Sequence, residues 1–226
     1  MATKCFISSG KATFNLLHIE IKYHTYEVLK DFVSVTKSLS CTMSMDNPWK
    51  VLKSDQIYDN AWIKLTEHQV INPTGGNGIY GEVHFKNLAI GIVVLDANYN
   101  TWLVGQYRFP LKAYSWEIPE GGGLLHIDPL ISAKRELQEE TGILASTFTE
   151  IQRMHLSNSV SDELAIIYIA QGLQLGNASP EETEELMVRK LPFDKAYQMV
   201  MNGEITDSMS VAGILKTQLL IEQRKI

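Results

Sequence analysis

The sequence predicts an α/β fold of the α+β kind, a mixed sheet with helices packed on it. Short alternating or β-branched runs crowd residues 49–109, and a strongly periodic helical stretch interrupts them at 129–141. Further strand patterns then precede two helical stretches at the C-terminal end. That order differs from the regular strand–helix alternation of a parallel sheet.

Residues 1–44 come first and read differently from the rest. They end in "TKSLSCTMSMDNPWK", dense in Ser, Thr and Met and without periodicity, so they are expected to form an N-terminal extension. From Trp49, "AWIKLTEHQVI" and "IYGEVHF" alternate around "NPTGGNG", whose Asn, Pro and Gly content marks a reversal. This divides the rest of the chain into a strand region at 45–85 and a main domain at 86–226. "NLAIGIVVLD" is a continuous apolar run suited to a strand buried on both faces, and "ANYN" turns it into "TWLVGQYRF", its expected hairpin partner. After "GGG" the period changes. Asp128 as N-cap, Pro129 in the first turn and Gly142 as the stop predict a helix over 129–141. "DELAIIYIAQGL" and "ELMVRKLPF" predict strands. "PFDKAYQMVMNG" places Phe193, Ala196, Tyr197 and Val200 at helical spacing. A last helix is expected from about Ser208, capped by Asp207, with Val211, Leu215 and Leu219 on its buried stripe.

The totals exclude several functions. In 226 residues, 45% are hydrophobic and 20% charged, enough to bury a core without staples. A formal net charge of −6 and scattered basic residues argue against nucleic-acid and membrane-surface partners. No apolar run reaches the roughly 20 residues of a bilayer span, and the first thirty residues lack the apolar core of a secretory signal. Cys5 and Cys41 both lie in the extension. The cysteine-free body fits a reducing cytoplasm and excludes a thiolate zinc site.

The helix over 129–141 carries the chemistry. Leu130, Ala133 and Leu137 form its apolar face. Glu136, Glu139 and Glu140 stand at (i, i+3) and (i, i+4) on one side, in the half where the helix dipole disfavours anions. One reading is a solvated face with an Arg135–Glu139 pair. The other is a compensating hard cation such as Mg²⁺, which takes carboxylate and carbonyl oxygens and accompanies phosphates.

From Gly121 the chain runs fourteen positions to Arg135-Glu136-Leu137, then Glu139-Glu140, then Gly142-Ile143. This resembles the Nudix box, a glycine, five residues, a glutamate, seven residues, then R-E-(apolar)-x-E-E-x-G-(apolar). The resemblance implies a Nudix α/β/α sandwich over 86–226 and Mg²⁺, or Mn²⁺, held by Glu136, Glu139, Glu140 and the backbone carbonyl of Glu120. Gly121, Arg135 and Gly142 would shape and brace the loop. One position departs: Ile127, after His126, stands where the box has its first glutamate, which in the family braces the loop against the arginine. Asp128 is one residue away.

Beyond the box, "QYRFP", "WEIPEGG", "HLSNSVSDELA", "SPEETEELMVRKLP" and "GEITDSMSVAGI" resemble the ADP-ribose pyrophosphatase branch, which handles nucleoside diphosphate sugars. The resemblance implies substrate contacts from Arg108, Glu117 and Glu163, with a buried Arg108–Glu117 pair as the structural alternative. It implies a general base from the acidic segment, Glu184 first and Glu185 second, with Glu181 and Glu182 as solvated charges. It also implies a homodimer paired through residues 48–85. The expected reaction is metal-assisted hydrolysis of the diphosphate linkage to a nucleoside monophosphate and a sugar phosphate. A dinucleotide substrate and a nucleotide-binding module with weak turnover, motivated by Ile127, remain as alternatives. His155 is expected to be a buried, satisfied histidine, His126 an exposed loop residue, and Trp102, Trp116, Tyr107 and Phe109 mostly core or interface.

Overall fold

A computed structural model describes residues 46–176 and 186–226. The expectations for residues 1–44, and for Glu181, Glu182, Glu184 and Glu185, lie outside the described residues. Pro48–Ile226 form one compact unit.

An antiparallel sheet opens the unit, β1 (Lys50–Asp59), β2 (Ile63–Ile71) and β3 (Asn77–Phe85), in that order. The "NPTGGNG" reversal is built as expected: the Asn72 carboxamide oxygen accepts from the Thr74 and Gly76 N–H groups. Strand β1 carries little apolar alternation and is exposed along almost its whole length.

Two further sheets form the main domain. One has the order β7-β4-β9-β8, from β4 (Asn87–Val94), β7 (Glu120–Leu124), β8 (Ile143–His155) and β9 (Leu164–Leu175). Its central β4–β9 pair is parallel and its outer pairs are antiparallel, so the expected mixed sheet is present. The other has the order β10-β5-β6, from β5 (Asn100–Arg108), β6 (Ala113–Glu117) and β10 (Met187–Pro192). The helices among the described residues are α1 (Pro129–Thr141), α2 (Phe193–Met201) and α3 (Ser208–Glu222).

Alternation along β4 and β9 explains the layering. Ile90, Ile92 and Val94 of β4 and Ile166, Tyr168 and Ala170 of β9 share a core with Ala133 and Leu137 of α1. Val93, Ala165, Ile167 and Ile169 point the other way, into a core with Phe193 and Ala196 of α2 and Met209 and Ile214 of α3. Strands buried on both faces are apolar without a break, which is how "NLAIGIVV" reads. Helices therefore cover both faces, giving the α/β/α arrangement.

Three expectations about elements are corrected. β4 and β5 are not a hairpin: both edges of β4 are taken by β7 and β9, so the chain leaves through the 96–100 turn, whose N–H groups Asp96 caps, and β5 pairs with β10 and β6. The glycine-rich stretch is the strand β7 rather than a loop, its glycines paired with Leu88, Ala89 and Ile90. On α3 the buried positions are Met209, Ser210, Gly213, Ile214 and Thr217, whereas Leu215 and Leu219 are exposed. Small residues bring that helix close to the sheet, where a leucine stripe would hold it off. Among the described residues, no helix is long and apolar enough to cross a membrane.

Candidate active site

Helix α1 is set in register by its ends. Asp128 accepts from the Leu130 N–H at 3.0 Å, Pro129 occupies the first turn, and Gly142 takes the left-handed conformation (φ 69°) with its N–H on the Gln138 carbonyl. With Ala133 and Leu137 in the core, Glu136 and Glu140 turn towards β7 and are buried at 8% and 3% exposure. Glu139 sits at the rim.

The start of β7 lies against those carboxylates. The Glu120 N–H donates to a Glu140 carboxylate oxygen at 3.0 Å. At Gly121 an added Cβ would overlap the Glu136 carboxyl group, so this glycine serves close approach rather than unusual dihedrals. The main chain at 120–121 thus faces two buried carboxylates. Arg135 closes the unit: Nη2 donates to the Gly122 carbonyl at 2.8 Å and to Glu136 at 2.5 Å, and Nη1 donates to Glu139 at 2.6 Å. Burial disfavours its charge, but Glu136 and Glu139 outweigh burial and hold its pKa above the usual range. The turn where the box expects a glutamate is closed by the Ile127 N–H on the Leu124 carbonyl. Arg135 finds its partners elsewhere, which explains how the departure at Ile127 is accommodated.

Beside this unit, the end of β5 and the end of β6 bring Arg108 onto Glu117. The Arg108 Nε reaches both Glu117 oxygens at 3.0–3.1 Å, and Nη2 reaches Glu117 at 2.5 Å and Glu120 Oε1 at 2.8 Å. Glu117 is 2% exposed. Burial works against the Arg108 charge, and the bonds and field of Glu117 overcome it and push its pKa up. The Glu120 carboxyl is pushed well above the usual carboxylate range, first by burial and then by repulsion from Asp207 and Glu117, with Arg108 opposing.

These groups line one cleft of about 610 Å³, together with Glu163, Asp207, Trp62 and Phe85. Glu163 is half-buried, and burial, followed by the neighbouring Asp162 charge, raises its pKa. Asp162 ties the loop that carries Glu163 to β3 through His84 and the Phe85 N–H. Arg108, Glu117, Glu120 and Glu163 are therefore brought to one cleft, with the Glu136–Glu140 surface of α1 against its glycine floor.

One expectation fails. His155 is exposed rather than buried, because it ends the outer strand β8. Of the four aromatics, Trp102 lies in the core beneath α1 and Trp116 packs on the core of the opposite face, while Tyr107 and Phe109 are 61% and 83% exposed. His126 is exposed as expected. Along the sequence Asp207 is legible only as a helix cap. It does cap α3, accepting from the Ser210 N–H at 2.7 Å, but it also enters the cleft with one carboxylate oxygen within 4.8 Å of oxygens from Glu117 and Glu120. Local sequence could not reveal this, because the approach depends on docking of α3, where Ser210 Oγ accepts from the Ile118 N–H at 2.9 Å.

Comparison with known proteins agrees with this geometry. The model of the nucleoside diphosphate sugar hydrolase N-terminal domain matches residues 49–83, and that of the NUDIX domain matches residues 85–208. An ADP-ribose pyrophosphatase of Mycobacterium tuberculosis is 33% identical over 177 residues, covering 75% of this chain and 83% of the relative. A GDP-mannose pyrophosphatase of Salmonella typhimurium is 36% identical over 140 residues, covering 60% of this chain and 70% of that protein. A crystal structure of an ADP compounds hydrolase superposes with a TM-score of 0.70 at 17% identity, over 79% of this chain and 97% of the other, which speaks to fold. With its NUDIX match spanning more than half its length and a box helix packed on a glycine strand, the chain belongs to the NUDIX family.

Proposed function

We propose that this chain is a divalent-metal-dependent hydrolase that cleaves the diphosphate linkage of ADP-ribose or a related nucleoside diphosphate sugar, releasing a nucleoside monophosphate and a sugar phosphate. The observation that carries the reading is the pair of buried carboxylates, Glu136 and Glu140, set against the main chain at 120–121 beside a cleft that holds Arg108. The donors available there are hard oxygens, the kind that a divalent cation such as Mg²⁺ takes. The residues fit Mg²⁺, or Mn²⁺, held by Glu136, Glu139, Glu140 and the Glu120 carbonyl.

A bound divalent cation supplies neutralisation of the phosphate oxygens and acidity to the attacking water. The chain's own residues do the rest. Arg135 holds the strand–helix unit closed, so the carboxylates are positioned before substrate arrives. Arg108 presents a permanent positive charge to the cleft, in a form that suits phosphate oxygens. Its bonds to Glu117 keep the guanidinium oriented. Glu163 contributes an acidic group on the far wall. A carboxylate of the 181–185 segment, Glu184 before Glu185, takes the proton of the attacking water in this reading. Pairing of two copies through residues 48–85 is part of the proposal, supported by Val51, Leu52, Ile57 and Tyr58 exposed on β1. A cytoplasmic setting is proposed from the cysteine-free body.

A panel of nucleoside diphosphate sugars incubated with Mg²⁺ tests the reading. AMP and ribose 5-phosphate are expected from ADP-ribose, with activity lost in chelator, and light scattering should give twice the mass of one chain. Tight binding of ADP-ribose without release of AMP would favour a binding module, and Ile127→Glu restoring turnover would then implicate the departed position.

A further inference from the structure

The carboxylates of Glu117, Glu120 and Asp207 form a group apart from the box helix. One oxygen from each lies within 4.8 Å of the others. Glu117 is spoken for by Arg108, and Glu120 Oε1 accepts from the same guanidinium. Glu120 Oε2 is different. It is sealed from solvent on a side chain only 9% exposed, and among the described residues no donor reaches it. A buried carboxylate oxygen without a partner is disfavoured, and the nearby carboxylates of Asp207 and Glu117, when ionised, can only accept. When all three carboxylates are ionised they share the positive charge of Arg108, with an excess of about two negative charges.

We propose that Glu117, Glu120 and Asp207 form a divalent-cation site on the cleft side of β7, distinct from the Glu136–Glu140 surface on the helix side. Glu120 belongs to both, its backbone facing α1 and its side chain turned to the cleft. Donor type and spacing agree with such an ion. Oxygens on opposite sides of Mg²⁺ stand about 4.1 Å apart, and around a larger cation about 4.6–5.2 Å apart, so a group no wider than 4.8 Å accepts either with small adjustments. Three protein oxygens leave further coordination positions open to the cleft, where oxygens of a bound ligand could complete the shell. The cation would give Glu120 Oε2 its partner and remove the charge excess.

The site is a binding claim and is tested without turnover. Mn²⁺ is titrated against full-length Glu136→Gln/Glu140→Gln protein, with free Mn²⁺ followed by electron paramagnetic resonance. One Mn²⁺ per chain should remain bound. Its dissociation constant should rise at least tenfold on adding either Asp207→Asn or Glu120→Gln, and should not move on adding Glu204→Gln at an exposed position. Asparagine caps helices as well as aspartate does, so Asp207→Asn retains α3; Glu120→Gln gives the same reading without touching a cap. Absence of Mn²⁺ from the double variant would overturn the site, leaving a proton shared between the carboxyl groups. Residual binding indifferent to both substitutions would overturn it as well. Because the box carboxylates are already removed, this result stands or falls separately from the proposed hydrolysis.

Discussion

Glu140→Gln should cost the protein nearly all its metal-dependent turnover while leaving the fold in place. Glutamine preserves the side-chain oxygen that accepts the Glu120 N–H at 3.0 Å, so the strand–helix contact survives. What disappears is a charge buried at 3% exposure beside the main chain that faces it. A cation held by fewer charges binds less tightly and is positioned less exactly against the reacting phosphate. If that interaction supplies about 4 kcal/mol to the transition state, turnover falls about a thousandfold. Glu139→Gln should also lower turnover, but its rim position and its bond to Arg135 predict a smaller loss. Steady-state rates at saturating Mg²⁺, with circular dichroism as the fold control, read both. Wild-type rates in Glu140→Gln would contradict the assignment.

Gly121→Ala should damage stability and activity at once. The new methyl would overlap the Glu136 carboxyl group, and the backbone cannot back away because Gly121 is paired with Ile90 in the β4–β7 ladder. Overpacking of this kind costs about 1–3 kcal/mol. In a protein this size it lowers the melting temperature by about 3–10 °C. Displacing Glu136 should depress turnover further than the stability loss alone. Gly122→Ala is the matched control. Its nearest neighbour, the Asn87 carboxamide, would be at 3.5 Å, an ordinary contact, so little change is expected. Equal behaviour of the two variants in thermal melts and assays would mean that the close approach at Gly121 does not matter.

What could be read along the chain and what could not divides by physical range. Helix α1 spans the expected residues because its signals are local: the Asp128 cap, Pro129, the apolar spacing and Gly142 all act within the helix. The clustering of Glu136 and Glu140 on one side follows from the same 3.6-residue period. Strand β7 is not legible as a strand along the chain, because glycine has no strand signature. Its reason to be a strand lies in Glu136, fifteen residues on, which fills the space a side chain would take. β8 was missed because an outer strand carries many polar residues and a bulge between Glu150 and Gln152. The β4–β5 hairpin was expected from adjacency, and only the claims of β7 and β9 on β4 forbid it. Arg108 and Glu117 could be paired through sequence resemblance, yet the side chain of Glu120 and the arrival of Asp207 could not. They depend on α3 docking ninety residues later.

The central claim, a cation seated by Glu136 and Glu140 against the Glu120 main chain, is tested most directly by anomalous diffraction from crystals grown with Mn²⁺ and a non-cleavable ADP-ribose analogue. An anomalous peak about 2.1 Å from a carboxylate oxygen of both glutamates, with the analogue's diphosphate beside it, is the expected result. The analogue bound in the cleft with no manganese at those carboxylates would contradict it.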